Sequence, residues 1–146
     1  MDIEITIKDL MDSVDEEISR IAGSTYDENG TPLYDGLRKT SRDENTINKI
    51  LSEALAVVQG SIARFVESAE VTADNIIIQM SMTERRRRAK EFIITTTINS
   101  SLAKLVIAKY FSEKQQTKLA EKFDALAAAD LQTLRKNLYE KAAPTN

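Results

Sequence analysis

The chain has 146 residues, a formal net charge of −3 at pH 7, and no cysteine, histidine or tryptophan. These absences exclude disulfide bonds, thiolate nucleophiles, imidazole acid–base catalysis and nearly every zinc site. Hydrophobic residues make up 42% of the chain and charged residues 29%. This composition is typical neither of a disordered chain nor of a transmembrane protein. We expect a single helical domain over residues 1–146, with long elements because glycine and proline are scarce.

Nothing in the sequence predicts a membrane or a secretory route. The N-terminus is acidic and has no apolar signal core. The longest uncharged stretch, residues 92–103, is shorter than the roughly 20 apolar residues of a membrane span and contains polar side chains. We therefore expect a cytoplasmic protein that does not bind membranes.

The first predicted element is a helix over residues 6–22, because Ile7, Leu10, Val14 and Ile18 recur at spacings of three and four. Residues 24–40 hold two of the four glycines, one of the two prolines and no sustained period, which predicts a long loop. A capping box at Ser41 and Glu44 then predicts the start of a second helix over residues 42–70.

The only strong strand pattern covers residues 75–82, where alternate positions are apolar. A single strand needs a partner for its backbone groups. The partner is either the alternating segment at residues 1–6 or a neighbouring subunit, and the sequence leaves both open.

A third helix is predicted over residues 83–111, and its apolar side chains cover most of its circumference. Only Thr97, Ser101 and Lys104 mark a narrow polar sector. Such a helix is buried on several sides, either at the centre of a bundle or at a boundary with another subunit. A second capping-box pattern, Ser112 with Gln115, predicts a last helix over residues 112–141.

These elements predict a mainly α fold: a bundle of four helices, with a long loop after helix 1 and a short strand element between helices 2 and 3. Charge is divided along the chain, since residues 1–82 carry a net charge of −9 and residues 83–146 a net charge of +6. The two halves either pair within one chain or bring successive copies together head-to-tail, which generates rings or filaments.

Two sets of residues are candidates for contacts with partners. The charged set is Lys90 with four consecutive arginines, called the arginine run below: Arg85, Arg86, Arg87 and Arg88. Three interpretations of this charged set are open. It forms a solvated helix end, it contacts acidic residues of a neighbour, or it contacts nucleic-acid phosphates. The apolar set is predicted to lie at a subunit boundary: Ile76, Ile78, Met80, Met82, Ile94, Ile98 and Leu105.

Catalysis is not expected, because the chain has no nucleotide-binding or nucleophile motif and no histidine to activate a hydroxyl. The acidic cluster on the first helix, Asp12, Asp15, Glu16 and Glu17, lacks the spacing of a calcium loop and is read as a solvated or interface face. We expect no enzyme activity, metal, cofactor or small-molecule substrate.

The pattern Asp43-Glu44-x-x-Ile47-x-x-x-Leu51-x-x-Ala54 resembles the second helix of small phage and prophage head–tail connector (adaptor) proteins. The helix ending Ala108-Lys109-Tyr110-Phe111 and the closing helix up to Pro144 are similar to that family too. The strand and the arginine run depart from its pattern.

The resemblance implies a structural subunit that forms a homo-oligomeric ring in the virion or its host cell, with portal and tail proteins as partners. Two other functions stay open. One is an intracellular helical interaction module, and the other is a non-specific DNA-binding protein that uses the basic C-terminal half.

Overall fold

The computed structural model describes residues 2–22, 44–81 and 84–139, apart from the side chains of residues 22, 44–46 and 84–89. Within these ranges the elements are β1 (Asp2–Thr6), α1 (Ile7–Ala22), α2 (Glu44–Ser61), a 3₁₀ turn (Ala63–Phe65), β2 (Val66–Val71), β3 (Asn75–Met80), α3 (Glu84–Glu113) and α4 (Thr117–Tyr139). The predicted mainly α fold is confirmed, with four helices in the described part of the chain. The predicted loop over residues 24–40 lies outside the described residues.

The strands form one antiparallel sheet in the order β1–β3–β2, so β3 has a partner on both edges. Ile78 lies opposite Ile3 of β1 and opposite Ala69 of β2. The isoleucine-rich strand therefore pairs with the N-terminal segment, one of the two partners that the sequence left open. Its alternate side chains are buried, because one face of the sheet packs on the helices.

The second helix is shorter than the predicted range of 42–70, because it ends at Ser61 and the chain enters β2 at Val66. Val66 and Val71 are β-branched, and pairing with β3 satisfies the backbone groups of this segment. The hairpin turn is closed by Thr72, whose backbone N–H donates to the Asn75 carbonyl at 2.8 Å. Strand β3 ends at Met80, two residues before the predicted end.

Helix α3 packs against α1, α2 and α4. Ile94, Ile98, Leu102 and Val106 of α3 have no exposed surface, as the central position of the bundle requires. The buried stripe of α4 repeats every three or four residues and consists of Ala120, Phe123, Ala127, Leu131, Leu134 and Leu138. Ser101, predicted to lie in a polar sector of α3, is buried, and its hydroxyl donates to the Ile98 carbonyl at 2.9 Å.

The turn between α3 and α4 corrects the predicted start of the last helix at Ser112. Gln115 has a positive φ of 59°. Its N–H donates to the Ser112 carbonyl at 3.1 Å, and the Gln116 N–H donates to the Phe111 carbonyl at 2.8 Å. This pair of bonds is a Schellman motif, so Ser112 and Gln115 terminate α3 rather than cap α4.

One helical segment in the described part of the chain, Lys90–Glu113, is long and apolar enough by length and composition to cross a membrane. Core helices of soluble proteins meet the same criteria, and six of the side chains in this segment are completely buried against the rest of the chain.

Candidate interaction surface

Most of the apolar residues predicted at a subunit boundary are core residues of the single chain: Ile76, Ile78, Met80, Ile94 and Ile98. Each is at most 2% exposed. The prediction that these side chains meet another copy is wrong, because the sheet and helices of one chain already enclose them. Leu105 is half-buried, and Met82 lies outside the described residues.

Leu105 lines a shallow depression of about 220 Å³ between α2 and α3. Val57, at 49% exposure, lies on the α2 side of the same depression. The ion pair between Lys109 and Glu53, with 3.6 Å between Nζ and Oε2, spans it. This is a place where a basic residue of the second half meets an acidic residue of the first half within one chain.

The arginine run lies at the N-terminal end of α3, and its side chains are outside the description. Lys90, the other predicted charged contact, is half-buried and already interacts within the chain. Positive side chains at a helix N-terminus oppose the helix dipole, so this placement of the arginine run has an electrostatic cost.

Phe92 directly follows this basic segment and is 84% exposed, and Ile93 beside it is 41% exposed. Phe92, Ala103 and Tyr110 lie on one side of α3, because Ala103 follows Phe92 by about three helical turns and Tyr110 follows it by about five. Tyr110 is only 1% exposed. Thr95 and Thr96, the next residues of α3 after the exposed pair and Ile94, share a groove with β1 and the first turn of α1.

Two grooves continue this side of α3 away from Phe92, each about 310 Å³ in volume. The first is lined by Glu4, Ile5, Thr6, Asp9, Thr95, Thr96 and Asn99. The second is lined by Ser13, Glu17, Asn99, Ser100, Ala103, Lys104, Ile107, Phe123 and Leu126. Because Asn99 lines both, they are adjacent sections of one surface, which we call the α3 groove.

The wall that β1 and α1 contribute to the α3 groove is acidic. Glu4 and Asp9 are exposed, and neither forms an ion pair with another described residue. Glu17 accepts a hydrogen bond from Arg20, whose Nε lies 3.3 Å from Oε2. That bond holds the pKa of Glu17 below its ordinary value of 4.5, and it raises the pKa of Arg20.

The opposite wall holds a polar network between α3 and α4. Asp130 Oδ2 accepts hydrogen bonds from the Ser100 hydroxyl and from Lys104 Nζ, both at 2.7 Å. Lys104 and Asp130 are about three-quarters buried, so each charge is compensated where water is scarce. Lys104 and Lys122 also favour the ionised form of Glu17 across the groove and lower its pKa slightly.

The described residues contain no group of three or more acidic, cysteine or histidine side chains that could hold a metal ion. In the acidic cluster of α1, Asp12 and Glu16 are exposed, whereas Asp15 and Glu17 are half-buried. What the arrangement offers is an apolar projection next to an acidic groove, a combination suited to contact with a macromolecule.

Comparison with protein-family models, with curated proteins and with solved structures finds no match for this chain. Sequence reasoning singled out the arginine run but missed the acidic groove. Glu4 and Asp9 belong to β1 and α1, and only the three-dimensional structure brings them beside α3.

Proposed function

We propose that the chain is a non-enzymatic structural subunit of a phage or prophage particle, a head–tail connector that assembles head-to-tail into a ring. The observation that carries the assembly is the exposed N-terminal part of α3, where Phe92 is 84% exposed beside the arginine run. A large aromatic side chain in this position is typical of an interface that is open in the isolated chain.

The particle assignment rests on the resemblance to connector proteins. Two residues of the resembling second-helix pattern, Leu51 and Ala54, are buried on α2. Tyr110 and Phe111, which end the resembling third helix, are also buried. These residues therefore build the bundle itself, whereas the departure from the family, the arginine run, lies next to the exposed surface.

The experiment is a measurement of the mass of the full chain by sedimentation equilibrium over a wide concentration range, with negative-stain electron microscopy of the heaviest species. We expect a closed oligomer of more than two copies, because head-to-tail contacts leave each copy able to bind the next. A chain that stays monomeric up to its solubility limit would contradict the proposal.

A second candidate function is non-specific DNA binding. The arginine run favours it, because its positive charges could contact phosphates. Arg64 also favours it, because it lies 5.8 Å from the ring centre of the half-exposed Tyr139 and so places a positive charge beside an aromatic ring. Phosphate contacts make such binding fall steeply with salt. Retention of a random-sequence DNA duplex that disappears when the arginine run is replaced by serine would support this candidate. Retention that is unchanged by the replacement would reject it.

A further inference from the structure

We propose that the α3 groove receives a second copy of this chain, whose Phe92 and arginine run enter it. The inference rests on the proposed ring assembly and specifies the surface through which the copies meet. It follows from two properties of the described residues, an exposed aromatic side chain and an acidic groove of suitable size, and from the basic sequence of residues 85–88 at the start of the same helix.

The apolar part of the contact is Phe92. It projects almost wholly into water from a long helix, and a rigid aromatic side chain gains most when it enters a pocket on a partner. The first section of the α3 groove has a volume of about 310 Å³, ample for a single side chain of this size. Its lining includes the buried Ile5 and the methyl-bearing Thr95 and Thr96 beside polar side chains.

The charged part is the arginine run against Glu4 and Asp9. Positions 85, 88 and 92 lie on one side of α3 by helical periodicity, so the basic segment and Phe92 would approach a partner together. The two carboxylates are exposed and form no ion pair with other described residues. Acidic groups of a partner would also offset the unfavourable placement of cations at a helix N-terminus.

A second copy fits this surface better than a nucleic acid does. Glu4 and Asp9 lie in the groove section that begins about one turn beyond Phe92, at Thr95 and Thr96, and their negative charge would repel a phosphate backbone. The projection and the groove are different patches. A contact of one copy's projection with the next copy's groove continues a ring when it is not reciprocal, whereas a reciprocal contact would close a dimer, and the mass of the oligomer distinguishes the two.

The test uses charge reversal in the full chain. The projection variant is Arg85→Glu with Arg88→Glu, the groove variant is Glu4→Lys with Asp9→Lys, and a third chain carries all four changes. By sedimentation equilibrium, we expect each double variant to weaken self-association on the order of tenfold or more, because like charges then face each other. The chain with all four changes should regain most of the wild-type association.

Matched controls make the same charge changes on exposed positions of α4. They are Lys118→Glu with Lys136→Glu for the projection variant, and Glu121→Lys with Asp124→Lys for the groove variant. We expect wild-type association from both. Phe92→Ser tests the apolar part without a change of charge and should also weaken association, and circular dichroism with urea unfolding checks that each variant is folded.

The outcomes separate this inference from the proposed function. If the wild-type chain forms oligomers and the folded variants keep the same mass, the α3 groove is not the contact surface, although ring assembly stands. If the four-change chain is not rescued, charge pairing between these residues is rejected. If the wild-type chain is a monomer at every concentration, both proposals are contradicted.

Discussion

The two parts of helix α3 differ in what covers them. Residues 94–111, the enclosed part, bury their apolar face against neighbouring helices although Thr96 and Lys109 are exposed, and Phe111 at the end of this part has no exposed surface. Residues 84–93 are mostly charged, and their two large apolar side chains, Phe92 and Ile93, are both exposed. Two basic residues of the enclosed part, Lys104 and Lys109, pair with Asp130 and Glu53.

The difference shows that a helix with apolar residues all round need not have a single explanation. Where neighbouring helices run alongside α3, its apolar surface is core and needs no partner. Toward the N-terminus of α3, before the groove that β1 and α1 line, Phe92 and Ile93 are left exposed. The packing of neighbouring elements, together with the composition of the helix, separates core from exposed surface.

The strongest test of the difference between the two parts of α3 is to truncate one phenylalanine in each part. Phe111 is fully buried and stacks on Phe123, with ring centres 5.9 Å apart. Phe111→Ala should lower the free energy of unfolding by about 3–5 kcal/mol, because it removes buried surface and leaves a cavity. Urea unfolding followed by circular dichroism measures the change.

Phe92→Ala is the matched variant, and we expect it to change the free energy of unfolding of the monomer by no more than about 0.5 kcal/mol. Similar losses for the two variants would mean that Phe92 is covered in solution. The distinction between the two parts of α3 would then fail.

A smaller effect is expected from the polar network of the enclosed part. Asp130→Ala leaves the Ser100 hydroxyl and the Lys104 ammonium without their shared acceptor in a mostly buried position. The loss should be about 1–3 kcal/mol by urea unfolding. Asp124→Ala, on the exposed face of the same helix, is the control and should change stability little. If Asp130→Ala loses no more free energy of unfolding than the control, water replaces the hydrogen bonds of Asp130 without loss of stability.

Periodicity was sufficient to predict the helices and β3, since each carries its own pattern of buried residues. Periodicity wrongly predicted that the second helix continues through Val66–Val71. In so short a segment, the apolar spacings of a strand and of a helix overlap. The segment is a strand because it pairs with the second edge of β3, a long-range contact that no local pattern shows. The α3 groove was out of reach for a related reason. Glu4 and Asp9 precede Thr96 by more than 80 positions, and no local pattern links them.

The C-terminal end of α3 provides a third, smaller test, because the turn there closes the enclosed part. Gln115 adopts a left-handed conformation that is unfavourable for residues with a side chain. Gln115→Gly should raise the free energy of unfolding by about 0.5–1 kcal/mol, the relief of strain being partly offset by the flexibility of glycine in the unfolded chain. Gln132→Gly, within α4, should instead lower stability by about 1 kcal/mol. Equal effects of the two substitutions would contradict the Schellman motif.

The smallest effect concerns charge at the groove. The hydrogen bond from Arg20 holds the pKa of Glu17 below its ordinary value of 4.5, and weaker attraction from Lys122 and Lys104 acts in the same direction. A lowered pKa in the folded state means that the interaction stabilises the fold above pH 4.5 and is lost as the pH falls through the lowered pKa. Glu17→Gln should therefore lose a little stability at neutral pH and none at strongly acidic pH.

Urea midpoints at the two pH values measure this difference, and a carboxyl-carbon NMR titration follows Glu17 directly. Glu16→Gln makes the same change of charge one residue earlier, where no ion pair with a described residue is lost. If Glu17 titrates at its ordinary pKa, Arg20 does not hold it in solution. The carboxylate of Glu17 would then be free to bind a basic group that enters the α3 groove, as those of Glu4 and Asp9 are. The acidic surface that a second copy could contact would be larger by one residue.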